Sequence, residues 1–175
     1  MKPTLALLLF ALMAFAPPAA NLYQFKPLDI NGTQMDLSLY KGKKILIVNT
    51  ASKCGYTYQY ADLQKLADTY KTKLVVIGFP ANNFGGQEPG TNAEIKTFCS
   101  SKYDVTFPMA AKVSVKGSDI DPLFKWLTTK SENGVLDANI SWNFNKFLLD
   151  ENGKLLQHYG SSVDPNSEAI TKYLK

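Results

Sequence analysis

The sequence predicts a single α/β domain, a mixed β-sheet covered by helices on both faces. Three observations point to it. Two short apolar runs, KILIVN from Lys44 to Asn49 and LVVIGF from Leu74 to Phe79, have the β-branched character of strands buried on both faces. A stretch with helical periodicity follows each of them. Near the C-terminus, two further apolar runs flank an Asn-Gly turn and so read as an antiparallel hairpin.

Taken in order, Asn31-Gly32 between short mixed segments is a type I′ turn signal. Beyond the first buried run and Cys54-Gly55, Leu63, Leu66, Ala67 and Tyr70 recur at i, i+3, i+4 and i+7, the apolar stripe of a helix. The second buried run stops at Pro80, and a Gly-rich loop runs from Ala81 to Gly90. Thr91-Asn92-Ala93-Glu94 is a capping box, T-x-x-E, opening a helix whose apolar face is Ile95, Phe98 and Cys99. Asp121 to Thr128 reads as another helix with Pro122 at its first position. Phe144 to Asp150 and Lys154 to Tyr159 form the hairpin around Glu151-Asn152-Gly153, and Asp164 to Leu174 reads as a closing amphipathic helix. Strand, helix, strand, helix, hairpin, helix describes the thioredoxin architecture, a parallel β-α-β half joined to a β-β-α half. Pattern alone leaves a flavodoxin-like winding open.

Composition narrows the function classes. The 175 residues are 45% hydrophobic, 12% aromatic and 19% charged, which excludes a collagenous, disordered or low-complexity chain. A formal charge of +4 is too mild for a dedicated nucleic-acid binder. All nineteen basic residues are Lys, so no site here depends on a guanidinium fork. Two cysteines and one histidine are too few for a Cys/His zinc cage, and no metal or cofactor is expected.

Residues 1–20 read as a leader outside the fold. Met1 and Lys2 precede an apolar stretch from Leu5 to Phe15, followed by the small-residue segment Ala16-Pro17-Pro18-Ala19-Ala20. That is the layout of a secretory signal peptide, and it predicts export to a periplasmic or extracellular location. The apolar stretch spans only about 16 Å as a helix, against about 30 Å of hydrocarbon, so no stable membrane insertion is expected after cleavage. Pro18 sits where a small residue is wanted for a cut after Ala20, which leaves retention as a tether open. The folded domain is then 21–175, with no repeat or linker dividing it.

Cys54 follows a buried strand and precedes a helix. A thiolate at such a junction meets backbone N–H groups and the positive end of the helix dipole, which favour its ionisation. A buried core cysteine is the alternative. The local sequence Cys54-Gly55-Tyr56-Thr57 has Thr where a C-x-x-C motif has its second sulfur, so the dithiol of a thioredoxin or disulfide isomerase is missing.

Three ordered motifs carry a resemblance. Asn49-Thr50-Ala51-Ser52-Lys53-Cys54-Gly55 resembles the N-V-A-S-x-[Sec/Cys]-G motif of the glutathione peroxidase family. GFPANNFGGQEP, from Gly78 to Pro89, resembles its G-F-P-C-N-Q-F-G-x-Q-E-P signature, and SWNFNKFL, from Ser141 to Leu148, resembles K-W-N-F-x-K-F-L. The resemblance spans nearly all of 21–175 and implies a thioredoxin-like fold and a peroxidase. It implies that Cys54 is the peroxidatic residue, with Gln87, Trp142 and Asn143 completing a catalytic tetrad. The types make chemical sense, because an indole and two amides are uncharged donors that can steady a thiolate without an ion pair. Ala81 for Cys and Asn83 for Gln depart from the second signature, so neither should be essential, and Thr50 for Val has no obvious chemical consequence.

Cys99 lies 45 residues after Cys54, in the helix following Gln87-Glu88-Pro89. The resemblance is to the cysteine-type members, in which a cysteine in this helix resolves the oxidised peroxidatic residue and a thioredoxin-like protein reduces the disulfide. If Cys99 faces the core, that helix must unwind for the two sulfurs to meet. A glutathione-dependent one-cysteine peroxidase is the alternative, as is a thioredoxin-fold thiol-disulfide oxidoreductase or redox relay. Tetrameric members of that family carry an extra loop at about the short segment from Thr129 to Ala138, so the resemblance implies a monomer with an open face, one that would admit hydrogen peroxide and organic and lipid hydroperoxides. His158 reads as structural. Tyr56, Tyr58 and Tyr60 read either as a docking surface or as one half-buried helix face. Asn31 and Asn139 fit the glycosylation sequon.

Overall fold

A computed structural model describes residues 21–175, and the leader expected at 1–20 lies outside the described residues. The chain runs through β1 (Lys44–Thr50), α1 (Gln59–Thr69), β2 (Leu74–Pro80), α2 (Asn92–Tyr103), α3 (Pro122–Thr128), α4 (Lys130–Asn133), β3 (Lys146–Leu149), β4 (Leu155–Tyr159) and α5 (Glu168–Thr171), with two short 3₁₀ segments before β1. The sheet order is β2-β1-β3-β4. β1 pairs with β2 in parallel, from Lys44 opposite Leu74 to Thr50 opposite Pro80, while β3 is antiparallel to both β1 and β4. This is the thioredoxin-like winding, with the parallel half and the hairpin half sharing one sheet.

The alternation of side chains along β1 splits the core in two. Ile45 and Ile47 face a cluster completed by Phe79, Leu123, Phe124, Trp126 and Phe147. Leu46 and Val48 face another, holding Tyr60, Leu63 and Leu66 of α1, Ile95 and Cys99 of α2, Phe144, and Ile170. Helices therefore cover both faces, as the apolar runs require.

Local chemistry sets the boundaries. Thr91 and Glu94 form the reciprocal capping box, and α2 ends where Asp104 turns left-handed. The Asp121 side chain caps α3, with Pro122 in its first turn. Gly32 is left-handed at φ 85° and Asn31 is not, so the first turn is not the type I′ that its Asn-Gly pair signals, although Leu28 and Gln34 do form an antiparallel bridge around it. Gly78 in β2 is held for another reason. A Cβ there would lie 2.5 Å from Met109 Sδ, and Gly78 bridges Met109 in parallel.

Three further expectations need correction. The closing helix is one turn, because Asp164 caps the Asn166 N–H with its side chain and binds Ser167 with its carbonyl, a turn that competes with helix. The strand expected from Phe144 begins at Lys146, since Phe144 is left-handed at φ 62°. Tyr60 is fully buried in the core beside Phe144, so of the three tyrosines only Tyr58, 56% exposed, stands well out from the surface.

Candidate active site

Three loops meet at the C-terminal ends of β1 and β2. The first carries Cys54. Its helix, α1, starts only at Gln59, so Cys54 sits in a run of turns rather than in the helix's first turn. Cys54 N–H donates to Thr57 Oγ1 (2.9 Å), Thr57 Oγ1 donates to the Ala51 carbonyl (2.9 Å), and Thr57 N–H donates to the Cys54 carbonyl (3.0 Å). The threonine in place of the second cysteine thus closes the loop. Cys54 is nearly buried, at 9% exposure, and its sulfur accepts the Tyr56 N–H at 3.4 Å. A turn amide therefore takes the place of the helix-dipole contact read from the sequence.

The second loop carries Gln87. Gly85 and Gly86 are both left-handed, at φ 62° and 63°, conformations open to glycine that reverse the chain just before Gln87. The Glu88 N–H is received by Asn82 Oδ1 (2.8 Å). The Gln87 carbonyl accepts the Lys53 N–H at 3.0 Å, which seats this loop beside Cys54.

The third segment carries Trp142 and Asn143. Asn143 Nδ2 donates to Gln87 Oε1 at 3.0 Å. The Trp142 carbonyl accepts from Asn49 Nδ2 (3.1 Å) and Asn145 Nδ2 (2.8 Å), and its ring, 38% exposed, lies 5.8 Å from that of Phe84. Asn49, wholly buried at the end of β1, also accepts the Asn145 N–H on Oδ1 (2.9 Å).

Gln87 and Asn143 are thus directly paired, and Gln87 is tied by backbone to the residue preceding Cys54. The indole and the two amides make no hydrogen bond to the Cys54 sulfur among the described residues. The Gln87 Nε2 donor is uncommitted there, and the buried Asn143 Oδ1 has no partner. The arrangement gathers neutral donors on segments tied to the loop that carries Cys54, and groups of this kind can steady an anion or a departing oxygen.

Cys99 stands apart. It is 2% exposed on the core side of α2, and both cysteines are free. Burial pushes its thiol up to about 11; the nearby Tyr60 hydroxyl opposes the rise and Glu88 adds to it. Between α2 and the Cys54 loop lies a cleft of about 380 Å³, lined by Ser52, Lys53, Glu88, Ile95 and Phe98. Burial also raises the Glu88 carboxyl, which is almost wholly enclosed. Among the described residues no group of three or more His, Cys, Asp or Glu could hold a metal ion, and no helix is long and apolar enough to cross a membrane.

Sequence reading missed Thr57, Asn49 and Asn145 as loop-holding residues. The available signal was an uncharged polar residue set directly against an apolar run, as Asn49 is at the end of β1.

Comparison with known proteins follows the same lines. The glutathione peroxidase family profile matches residues 22–128. The chain is 43% identical to the glutathione peroxidase-like peroxiredoxin HYR1 of Saccharomyces cerevisiae over 159 residues, covering 89% of this chain and 98% of that protein. It is 44% identical to the hydroperoxy fatty acid reductase gpx1 of a Synechocystis species over 155 residues, 85% of this chain and 92% of that one. The crystal structure of Trgpx in its apo form superposes with a TM-score of 0.70 at 36% identity, over 89% of this chain and 96% of that one.

Proposed function

The chain belongs to the glutathione peroxidase family, and on that premise we propose that it reduces hydroperoxides through Cys54. The Cys54 thiolate attacks the outer oxygen of R–O–OH. The O–O bond breaks, an S–OH group forms on Cys54, and the alkoxide leaves with a proton to become R–OH. Gln87 and Asn143, with the Trp142 indole, hold the thiolate and meet the departing oxygen. The observation that supports this reading is the Asn143–Gln87 hydrogen bond together with the Lys53–Gln87 backbone bond, which link the other two motifs to the loop that carries Cys54.

Cys99 then attacks the Cys54 sulfur, releasing water and leaving a disulfide that a thioredoxin-like dithiol reduces. In the reduced protein Cys99 is buried and protonated, so α2 must open for this step. Ser100, Ser101 and Lys102 are exposed, and only Ile95 and Cys99 of the helix are buried, which keeps the opening cost low. The relationship to a yeast peroxiredoxin supports a thiol reductant of this kind. The enclosure of Cys99 favours a second reading, glutathione acting directly on oxidised Cys54. Peroxide consumption with thioredoxin against glutathione, on wild type and Cys99→Ser, separates the two; the two-cysteine cycle predicts that Cys99→Ser loses turnover with thioredoxin.

A relative named for hydroperoxy fatty acids, and the short segment from Thr129 to Ala138 folded back by Asn133 on the Trp126 and Leu136 carbonyls, support an open face that admits lipid hydroperoxides. Relative rates on phospholipid and small hydroperoxides test this. Residues 1–20 support export, with the domain acting as a monomer outside the cytoplasm; mass analysis of the secreted chain and its size in solution test both.

A further inference from the structure

Behind the Trp142–Asn143 segment lies a buried amine that the peroxide chemistry does not use. Lys146, in β3, has no exposed surface. Its Nζ donates to the Phe144 carbonyl at 2.9 Å and the Ser161 carbonyl at 3.1 Å. Along the same face of β3, Leu148 is apolar and sits in the core cluster with Phe144. An ammonium in such a place carries a desolvation penalty that Leu or Met avoids. Burial accordingly drops it to about 7, against the opposing pull of Asp164 and Asp62, while Tyr159 faces it across the β3–β4 ladder.

What Lys146 holds explains its presence. Phe144 is left-handed, a conformation that a bulky residue adopts only when its surroundings impose it. Its N–H is fixed on the Asn49 carbonyl at 2.6 Å, and its ring packs edge-on against Tyr60 at 5.4 Å. Its carbonyl has a single donor among the described residues, and that donor is Lys146. The Ser161 carbonyl, in contrast, also accepts from Gln59 Nε2 at 2.8 Å. Phe144 directly follows Asn143, so its backbone twist sets the direction in which Asn143 and Trp142 project.

We propose that Lys146 is a positioning residue for the peroxide reaction, fixing the left-handed Phe144 and through it the aim of Asn143 and Trp142 at Cys54. The assignment rests on the reading of Cys54 as the attacking sulfur. A misdirected donor pair slows a reaction that must deliver a proton to a leaving oxygen. It leaves simple alkylation of the same thiolate largely intact, because iodide departs without a proton.

The experiment measures, by rapid mixing, the second-order rate of Cys54 oxidation by hydrogen peroxide and of Cys54 alkylation by iodoacetamide, with thermal unfolding alongside. Wild type is compared with Lys146→Met, Lys146→Gln and Gln59→Leu. Lys146→Met is expected to fold and to lower the peroxide-to-iodoacetamide rate ratio by roughly 10- to 100-fold, the scale of a displaced catalytic group. Lys146→Gln, which retains a shorter donor, gives an intermediate ratio. Gln59→Leu, which removes the other bond to Ser161, keeps the wild-type ratio. A folded Lys146→Met with an unchanged ratio overturns the proposal. So does a Gln59→Leu that loses as much, and so does failure of both Lys146 variants to fold while Gln59→Leu folds, since Lys146 then serves folding. A wild-type Cys54 inert to peroxide refutes the underlying reading instead.

Discussion

Replacing Asn49 with Ala strikes the joint between the sheet and the Trp142 segment. The side chain is wholly buried, donating to the Trp142 carbonyl at 3.1 Å and accepting the Asn145 N–H at 2.9 Å. The Trp142 carbonyl keeps its bond from Asn145 Nδ2, so that loss is that of one ordinary hydrogen bond, about 1 kcal/mol. The Asn145 N–H is left buried without its acceptor, a penalty of about 1–3 kcal/mol. Together these come to about 2–4 kcal/mol, and at about 2–4 °C per kcal/mol for a domain of this size the unfolding midpoint falls by about 10 °C. Cys54 oxidation should slow as well, because Trp142 and Asn143 lose their tether. Scanning calorimetry and rapid-mixing peroxide kinetics read the two effects. A midpoint within about 2 °C of wild type, a shift smaller than one hydrogen bond supplies, would show that Asn49 does not hold this joint.

Other expectations follow from single contacts. Gly78→Ala drives a Cβ to 2.5 Å from Met109 Sδ and 3.3 Å from Phe107 Cε2, so it should cost about 1–3 kcal/mol of stability, and Met109→Ala in the same chain should recover part of it. The Cys99 thiol is held up at about 11 against an ordinary 9.0, so the fold favours its protonated form. Its contribution to stability is complete below about pH 9 and is lost as pH rises towards 11; denaturant midpoints across that window should fall less steeply in Cys99→Ala. Lys146 is brought down to about 7 from 10.5, so the unfolded chain binds the extra proton between those values and stability drops as pH falls from 10.5 to 7. Lys146→Met should flatten that slope, read most cleanly between pH 7 and 9, below the Cys99 window.

The elements legible in the sequence were those with a local cause. Two β-branched runs, a capping box and a Pro after Asp121 marked β1, β2, α2 and α3 because each signal acts within a few residues. The one-turn α4 escaped notice, since it depends on Asn133 reaching the carbonyls of Trp126 and Leu136. The closing helix is shorter than its apolar spacing suggests, because the turn at Asp164 competes with it. At the site, Cys54 stood out from its strand-end position alone, but Gln87, Trp142 and Asn143 were legible only through the family resemblance. Their meeting depends on paired left-handed glycines and on Phe144, whose backbone no propensity foretells. Nothing in the sequence marks Asn145 and Lys146 as buried polar positions, because the Asn49 side chain that receives the Asn145 N–H and the Ser161 carbonyl that receives Lys146 Nζ come from segments distant in sequence.

The most direct measurement is titration of the reduced protein with stoichiometric hydroperoxide, trapping the product on Cys54 by a sulfenic-acid reagent and identifying it by mass. The expected result is one S–OH on Cys54 per peroxide in Cys99→Ser, a Cys54–Cys99 disulfide in the wild type, and no peroxide consumption by Cys54→Ser. Undiminished consumption by Cys54→Ser, or oxidation that bypasses Cys54 in the wild type, would contradict it.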